Sequence, residues 1–144
     1  MRYLMESAYV ALGAAIGANA RYWIGFLAKA STQPFPWPTM TINILGSMLL
    51  GAFSAAAIMR GWGWQGRLFF AVGVCGGFTT FSTFSFEVID LFYEKSWRLA
   101  SLYALLSFTL SIAGCLAGGH LARILLTHPA QEPPKNGNPF SKTK

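Results

Sequence analysis

Gly76-Gly77-Phe78-Thr79-Thr80-Phe81-Ser82-Thr83-Phe84-Ser85 lies in the middle of an apolar segment long enough to cross a bilayer. Two glycines weaken a helix there, Thr79, Thr80 and Thr83 are β-branched, and with Ser82 and Ser85 they carry five hydroxyls to bilayer depth. In hydrocarbon every backbone N–H and C=O needs a partner, so weakly helical backbone is tolerated only against protein or a water-filled cavity. The stretch therefore predicts a helix break that faces protein or an ion path, with carbonyls exposed on one side. Phe78, Phe81 and Phe84 recur at i, i+3, i+6 and are expected on one face, with Ser82 and Ser85 one position along.

The rest of the composition agrees with a bilayer as solvent. The chain has 144 residues, a one-domain length, and is 53% hydrophobic with 11% charged residues. A net charge of +6 in a water-soluble protein suggests nucleic acid; here the cations flank apolar segments, as membrane anchoring requires, and no nucleic-acid partner is expected. Cys75 and Cys115 lie inside apolar spans without a Cys-x-x-Cys or Cys/His cluster, which gives a metal site or disulfide scaffold no support. An intramembrane enzyme needs an activated nucleophile or metal ligands, and His120 has no such partner in the sequence, so the chain is not read as an enzyme.

Four apolar spans are expected, at about residues 3–28, 39–59, 68–93 and 97–126, within one four-helix transmembrane domain over residues 1–127. The first has the flanks of a signal peptide, but Gly13 and Gly17 at four-residue spacing read better as a helix-packing face. Arg21 and Trp23 suit an interfacial anchor. Residues 31–38, with Pro34, Pro36, Pro38 and Trp37, are expected as a loop. Asn43 is a buried amide that is costly unless hydrogen-bonded, and it can tie two helices together. Gly46 and Gly51 in the second span, and Gly114, Gly118 and Gly119 in the fourth, are expected packing faces. Glu87, Asp90 and Glu94 read as a solvated helix end. Tyr103, Ser107 and Ser111 recur at i, i+4, i+8 and form a polar stripe on the fourth span. From His128 onward prolines, asparagines and lysines dominate, and residues 128–144 are expected to be a disordered polar tail.

The decapeptide closely resembles the signature of the small bacterial fluoride channels, the Fluc or CrcB family. The resemblance extends to Gly17 through Trp23, to Thr41-Ile42-Asn43-Ile44-Leu45-Gly46, and to the span carrying Tyr103, Ser107 and Ser111. It implies an all-α membrane protein of four transmembrane helices, broken in the third, that works as an antiparallel dual-topology homodimer in the bacterial plasma (inner) membrane. It also implies passive, fluoride-selective efflux that lowers cytoplasmic fluoride. The pathway implied runs past Asn43, Phe81, Ser82, Thr83, Phe84, Tyr103, Ser107 and Ser111, with Arg21 near its mouth. A structural sodium ion at the dimer centre is implied as well, held by backbone carbonyls at the positions of Gly76 and Thr79.

Elementary chemistry is consistent with this. Fluoride is small and strongly hydrated, so a selective path must replace its water with donors and avoid carboxylates. Asn43, Ser82, Thr83, Ser107 and Ser111 can donate, and phenylalanine edges carry the positive part of the ring quadrupole. Four short helices fill their own centre, so a partner subunit is expected to complete the path. The termini side receives Arg2, Arg60, Arg67 and Arg123, and the other receives Arg21, Lys29, Lys95 and Arg98, so only the tail lysines break the tie in the positive-inside rule. The alternative is a small four-helix dual-topology multidrug-type exporter, which needs a membrane-embedded carboxylate; after Glu6 none occurs before Glu87.

Overall fold

The computed structural model describes residues 1–28 and 35–127. The expected tail and most of the proline-rich loop lie outside the described residues. Helices account for nearly all of what is described: α1 (Arg2–Ala28), α2 (Trp37–Met59), a third span in two halves, and α6 (Trp97–Leu126). The first half of the third span begins as α3 (Trp64–Arg67), widens into a π-helical stretch (Leu68–Cys75) and ends as the single turn α4 (Gly76–Phe78). The second half is α5 (Phe81–Asp90) followed by a π-helical stretch (Leu91–Lys95). Between the halves Thr79 and Thr80 are extended, at φ −76°, ψ 156° and φ −147°, ψ 111°. The expected break is therefore present, and two residues make it.

Three spans, Trp37–Met59, Trp64–Glu94 and Trp97–Leu126, are long and apolar enough to cross a membrane. α1 matches them in length but falls short in apolarity, since it carries Arg2, Glu6, Asn19 and Arg21. The chain is an all-helical, multi-pass membrane protein.

Helix boundaries follow local chemistry. α2 begins two residues earlier than expected, because Trp37 and Pro38 occupy its first turn; proline is tolerated there, where its missing N–H would have had no helical partner. α2 ends where Arg60 N–H bonds the Ala56 carbonyl and Gly61, at φ 62°, lets Trp62 N–H reach back to Ala57. Ser96 caps α6 by accepting the Arg98 N–H at 3.2 Å.

Glycines set the packing, as their spacing suggested. α2 and α6 run parallel in close contact: Gly51 sits against the Cys115 carbonyl, Gly118 against that of Met48, and Gly114 near that of Ile44. α1 packs in the same way against the first half of the third span, with Gly13 on Phe69 and Gly73, and Gly17 on Val74 and Phe78. Without strong hydrophobic attraction between helices in lipid, such close backbone approach supplies van der Waals contact that larger side chains prevent. Gly46 leaves room for Thr79 and Phe78, which seats the break on α2.

That seat corrects one expectation. Phe78 does not share a face with Phe81 and Phe84, because the extended pair Thr79–Thr80 lies between them and resets the helical phase. Phe78 is buried beneath Gly46, whereas Phe81 projects from the surface at 78% exposure.

Candidate functional site

Breaking a helix frees the carbonyls of its last turn and the N–H groups of the next first turn. The side chains around Thr79–Thr80 satisfy many of them. Thr79 bonds the Cys75 carbonyl twice, through its N–H at 3.0 Å and its Oγ1 at 2.9 Å. Arg21, from α1, donates its Nε–H to the Gly77 carbonyl at 3.2 Å. Asn43, from α2, is doubly bonded to Thr80: its Oδ1 accepts the Thr80 N–H at 2.8 Å and its Nδ2 donates to the Thr80 carbonyl at 3.1 Å. Thr80 caps α5, accepting the Thr83 N–H at 3.2 Å and donating to Thr83 Oγ1 at 3.0 Å. The carbonyls of Gly76 and Thr79 are acceptors in none of these bonds.

Asn43 thus fills the tying role expected of a mid-span amide. Its second Nδ2 hydrogen is not used by Thr80, so donation into a pathway remains compatible with this bond.

Two cavities flank the break. One, of about 310 Å³, brings together Asn43, Phe81, Phe84, Ser107 and Ser111 with Cys75, Gly76 and Thr79. Its lining contains no carboxylate. Ser107 is 4% exposed and its Oγ has no hydrogen-bond partner among the described residues. A buried hydroxyl without a partner costs about 1–3 kcal/mol, so it marks a place where a ligand or water is needed. Phe81 and Phe84 stand 5.5 Å apart between centroids, tilted by 39°.

The other cavity, about 760 Å³, opens towards the start of α2 and the end of α1, and is lined by Arg21, Thr39, Thr83 and Glu87. Tyr103 is fully buried and connects the two regions: it lies 5.4 Å from Phe84 on one side and donates to Glu87 at 2.6 Å on the other. Thr39 donates to the second Glu87 oxygen at 2.7 Å.

Of the residues expected on a pathway, five therefore line the smaller cavity, Arg21 and Thr83 line the larger, and Tyr103 stands between them. Ser82 lines neither; it is exposed, with its hydroxyl 3.2 Å from Thr80 Oγ1. Ser85 bonds its own helix, donating to the Phe81 carbonyl at 2.8 Å.

Glu87 corrects a second expectation. It is not a solvated helix end: it is half-buried and both carboxylate oxygens accept hydroxyl protons. Its partners, Thr39 and Tyr103, come from α2 and α6. Thr39 was missed because it adjoins the proline-rich stretch and has no periodic companion.

The smaller cavity thus gathers hydroxyl and amide donors with aromatic rings, and among the described residues the larger one holds the Arg21 cation beside Glu87. α5 also turns its N-terminal, partially positive end towards the break.

Comparison with known proteins agrees. The family model described as CrcB-like protein, Camphor Resistance (CrcB), matches residues 8–119. A protein of Rhodospirillum rubrum named fluoride-specific ion channel FluC is 41% identical over 133 residues, covering 85% of this chain and 97% of its own. Proteins of the same name from Paramagnetospirillum magneticum and a Ruegeria species are 40% identical over 130 residues and 46% identical over 120, covering 85% and 82% of this chain and 98% and 94% of their own.

Proposed function

The chain belongs to the CrcB family, and we propose that it passes fluoride passively and selectively across the bacterial inner membrane, lowering the cytoplasmic concentration of the ion. The observation that carries this reading is the smaller cavity, where an unpartnered buried serine hydroxyl, two tilted phenylalanines and an asparagine amide converge with no carboxylate among them.

An anion entering the wider mouth meets Arg21, which offsets the nearby Glu87 charge. The Glu87 carboxylate is occupied by Thr39 and Tyr103, so it faces its own donors rather than an incoming halide. Beyond Tyr103 the ion exchanges water for Ser107, Ser111 and the free Asn43 hydrogen, while Phe81 and Phe84 offer ring edges. Rings and hydroxyls suit a small hard anion better than chloride, which is larger and gains less from each donor.

The reading includes a second, antiparallel copy. Phe81 projects outward from the smaller cavity, and a side-chain carbon at Gly76 would meet nothing within 4 Å, whereas Gly73 and Gly77 lie against α1. The broken span thus has one face covered by its own chain and one left for a partner.

A sodium ion fits the donors at that face. Gly76 and Thr79 both line the smaller cavity, and their carbonyls are hard, neutral oxygens outside the hydrogen bonds that satisfy Cys75, Gly77 and Thr80. When bound, sodium would supply a fixed positive charge that lowers the cost of an anion in low dielectric. The chain's own contribution is positioning: Arg21 and Asn43 hold the flanking backbone so that these two carbonyls stay free.

Purified protein in liposomes loaded with fluoride or with chloride tests the function. Rapid fluoride loss with chloride retained is expected; no fluoride loss above empty vesicles, or chloride loss of equal size, rejects the proposal. Exchange of sodium for N-methylglucamine is expected to lower the dimer fraction on size exclusion.

A further inference from the structure

Away from the pathway, the end of the molecule that carries the turn between α2 and α3 gathers cations with few carboxylates beside them. The ends of α1, α2, α3 and α6 bring Arg2, Arg60, Arg67 and Arg123 there. Among the described residues the one ion pair is Arg2 with Glu6, at 3.0 Å. The opposite end holds Glu87, Asp90 and Glu94 beside its own cations. Basic residues are shared evenly between the two ends, but carboxylates are not, so the turn end is the more positive.

Arg67 is exposed and lines a groove of about 130 Å³. The apolar wall comes from Phe53, Ala57 and Ile58 of α2, Trp62 of the turn and Phe70 of the π-helical stretch. Phe53 and Phe70 are stacked at 4.8 Å, and Trp62 stands 5.6 Å from Phe70. Ile58, 70% exposed, opens the groove towards the surroundings of the helices. Trp62 and Trp64 at a helix end place this level at the boundary between hydrocarbon and headgroups.

We propose that this groove is a site for an anionic phospholipid, its phosphate paired with the Arg67 guanidinium and the upper part of one acyl chain laid along Phe53, Ile58 and Phe70. A guanidinium matches a phosphate in a forked geometry that a zwitterionic headgroup weakens with its own ammonium. The wall accounts for the chain, and the excess of positive charge at this end accounts for the charge preference. Arg60, exposed at the α2 terminus, adds to the local potential. The site is independent of ion passage.

Native mass spectrometry of the full chain, exchanged into mixed micelles of phosphatidylglycerol and phosphatidylcholine, tests it. The wild type is expected to retain phosphatidylglycerol preferentially, and Arg67→Gln to retain about fivefold less, the effect of one cation near an anionic surface. Arg67→Lys should restore part of that preference. Arg98→Gln, at the opposite end, should leave it unchanged. In vesicles containing brominated phosphatidylglycerol, Trp62→Phe should remove a quenched fraction of tryptophan emission. Equal retention of the two lipids by the wild type, or an Arg67→Gln protein that retains phosphatidylglycerol undiminished, overturns the proposal. A loss matched by Arg98→Gln also overturns it, since general charge would then suffice.

Discussion

Replacing Asn43 with aspartate separates two jobs that one amide performs. Aspartate keeps the acceptor for the Thr80 N–H, held at 2.8 Å, but puts an oxygen where Nδ2 donates to the Thr80 carbonyl at 3.1 Å. The lost hydrogen bond is worth about 1 kcal/mol, which should lower the melting temperature modestly and leave the fold intact. The new charge acts on the ion. A carboxylate roughly 4 Å from a halide in the smaller cavity, at an effective dielectric of about 20, raises its energy by about 4 kcal/mol, close to a thousandfold slowing. Fluoride efflux from proteoliposomes, normalised to wild type and to empty vesicles at each pH, measures this. The sign with pH follows from the chemistry: a protonated aspartate loses its charge and regains an O–H donor for Thr80, so relative flux should recover as pH falls. A flux within twofold of wild type at neutral pH, or one that declines further on acidification, refutes the placement of Asn43 beside the ion.

Phe84→Ile and Phe81→Ile remove ring edges while keeping apolar bulk, and each should reduce fluoride flux at least tenfold with the dimer fraction on size exclusion unchanged. Ser107→Ala deletes a buried hydroxyl that has no partner among the described residues; flux should fall while thermal stability holds or rises, the reverse of what removing a structural hydrogen bond does. Gly51→Ala drives a methyl into the Cys115 carbonyl and should destabilise the α2–α6 contact by about 1–3 kcal/mol, read as a lower melting temperature in detergent. Gly76→Ala meets nothing within its own chain, so it should leave the subunit folded but shift size exclusion towards monomer; an unchanged dimer fraction would place the interface elsewhere.

What the sequence made legible was what periodicity and chain chemistry control. The second and fourth spans ended where composition indicated, and glycine spacing identified faces that do meet other helices. The break was legible because consecutive β-branched hydroxyl residues after two glycines are poor helix. Its phase was not. Whether Phe78 falls on the face of Phe81 depends on how many residues leave helical geometry, and that number is fixed by contacts with Gly46 and Asn43 on another span. Glu87 was misread for a related reason: its partners, Thr39 and Tyr103, come from α2 and α6, and no pattern local to α5 reveals them. The π-helical stretches, too, have no distinctive composition; Leu68–Cys75 is simply a run of apolar residues and one glycine.

The hydrogen bonds at the break also explain how an interrupted span is stable at bilayer depth. Polar backbone at bilayer depth must be satisfied, and three carbonyls at the break are: Gly77 by Arg21, Thr80 by Asn43, Cys75 by Thr79. Those partners come from α1, α2 and the broken span itself, so this half of the site is preorganised before any ligand arrives. Gly76 and Thr79, whose carbonyls accept none of those bonds, and Ser107 line a single cavity together with the outward-facing Phe81. In the function proposed above the two carbonyls serve a cation and the hydroxyl an anion, and a break satisfied entirely by its own subunit would have no group left to take the place of water around an ion.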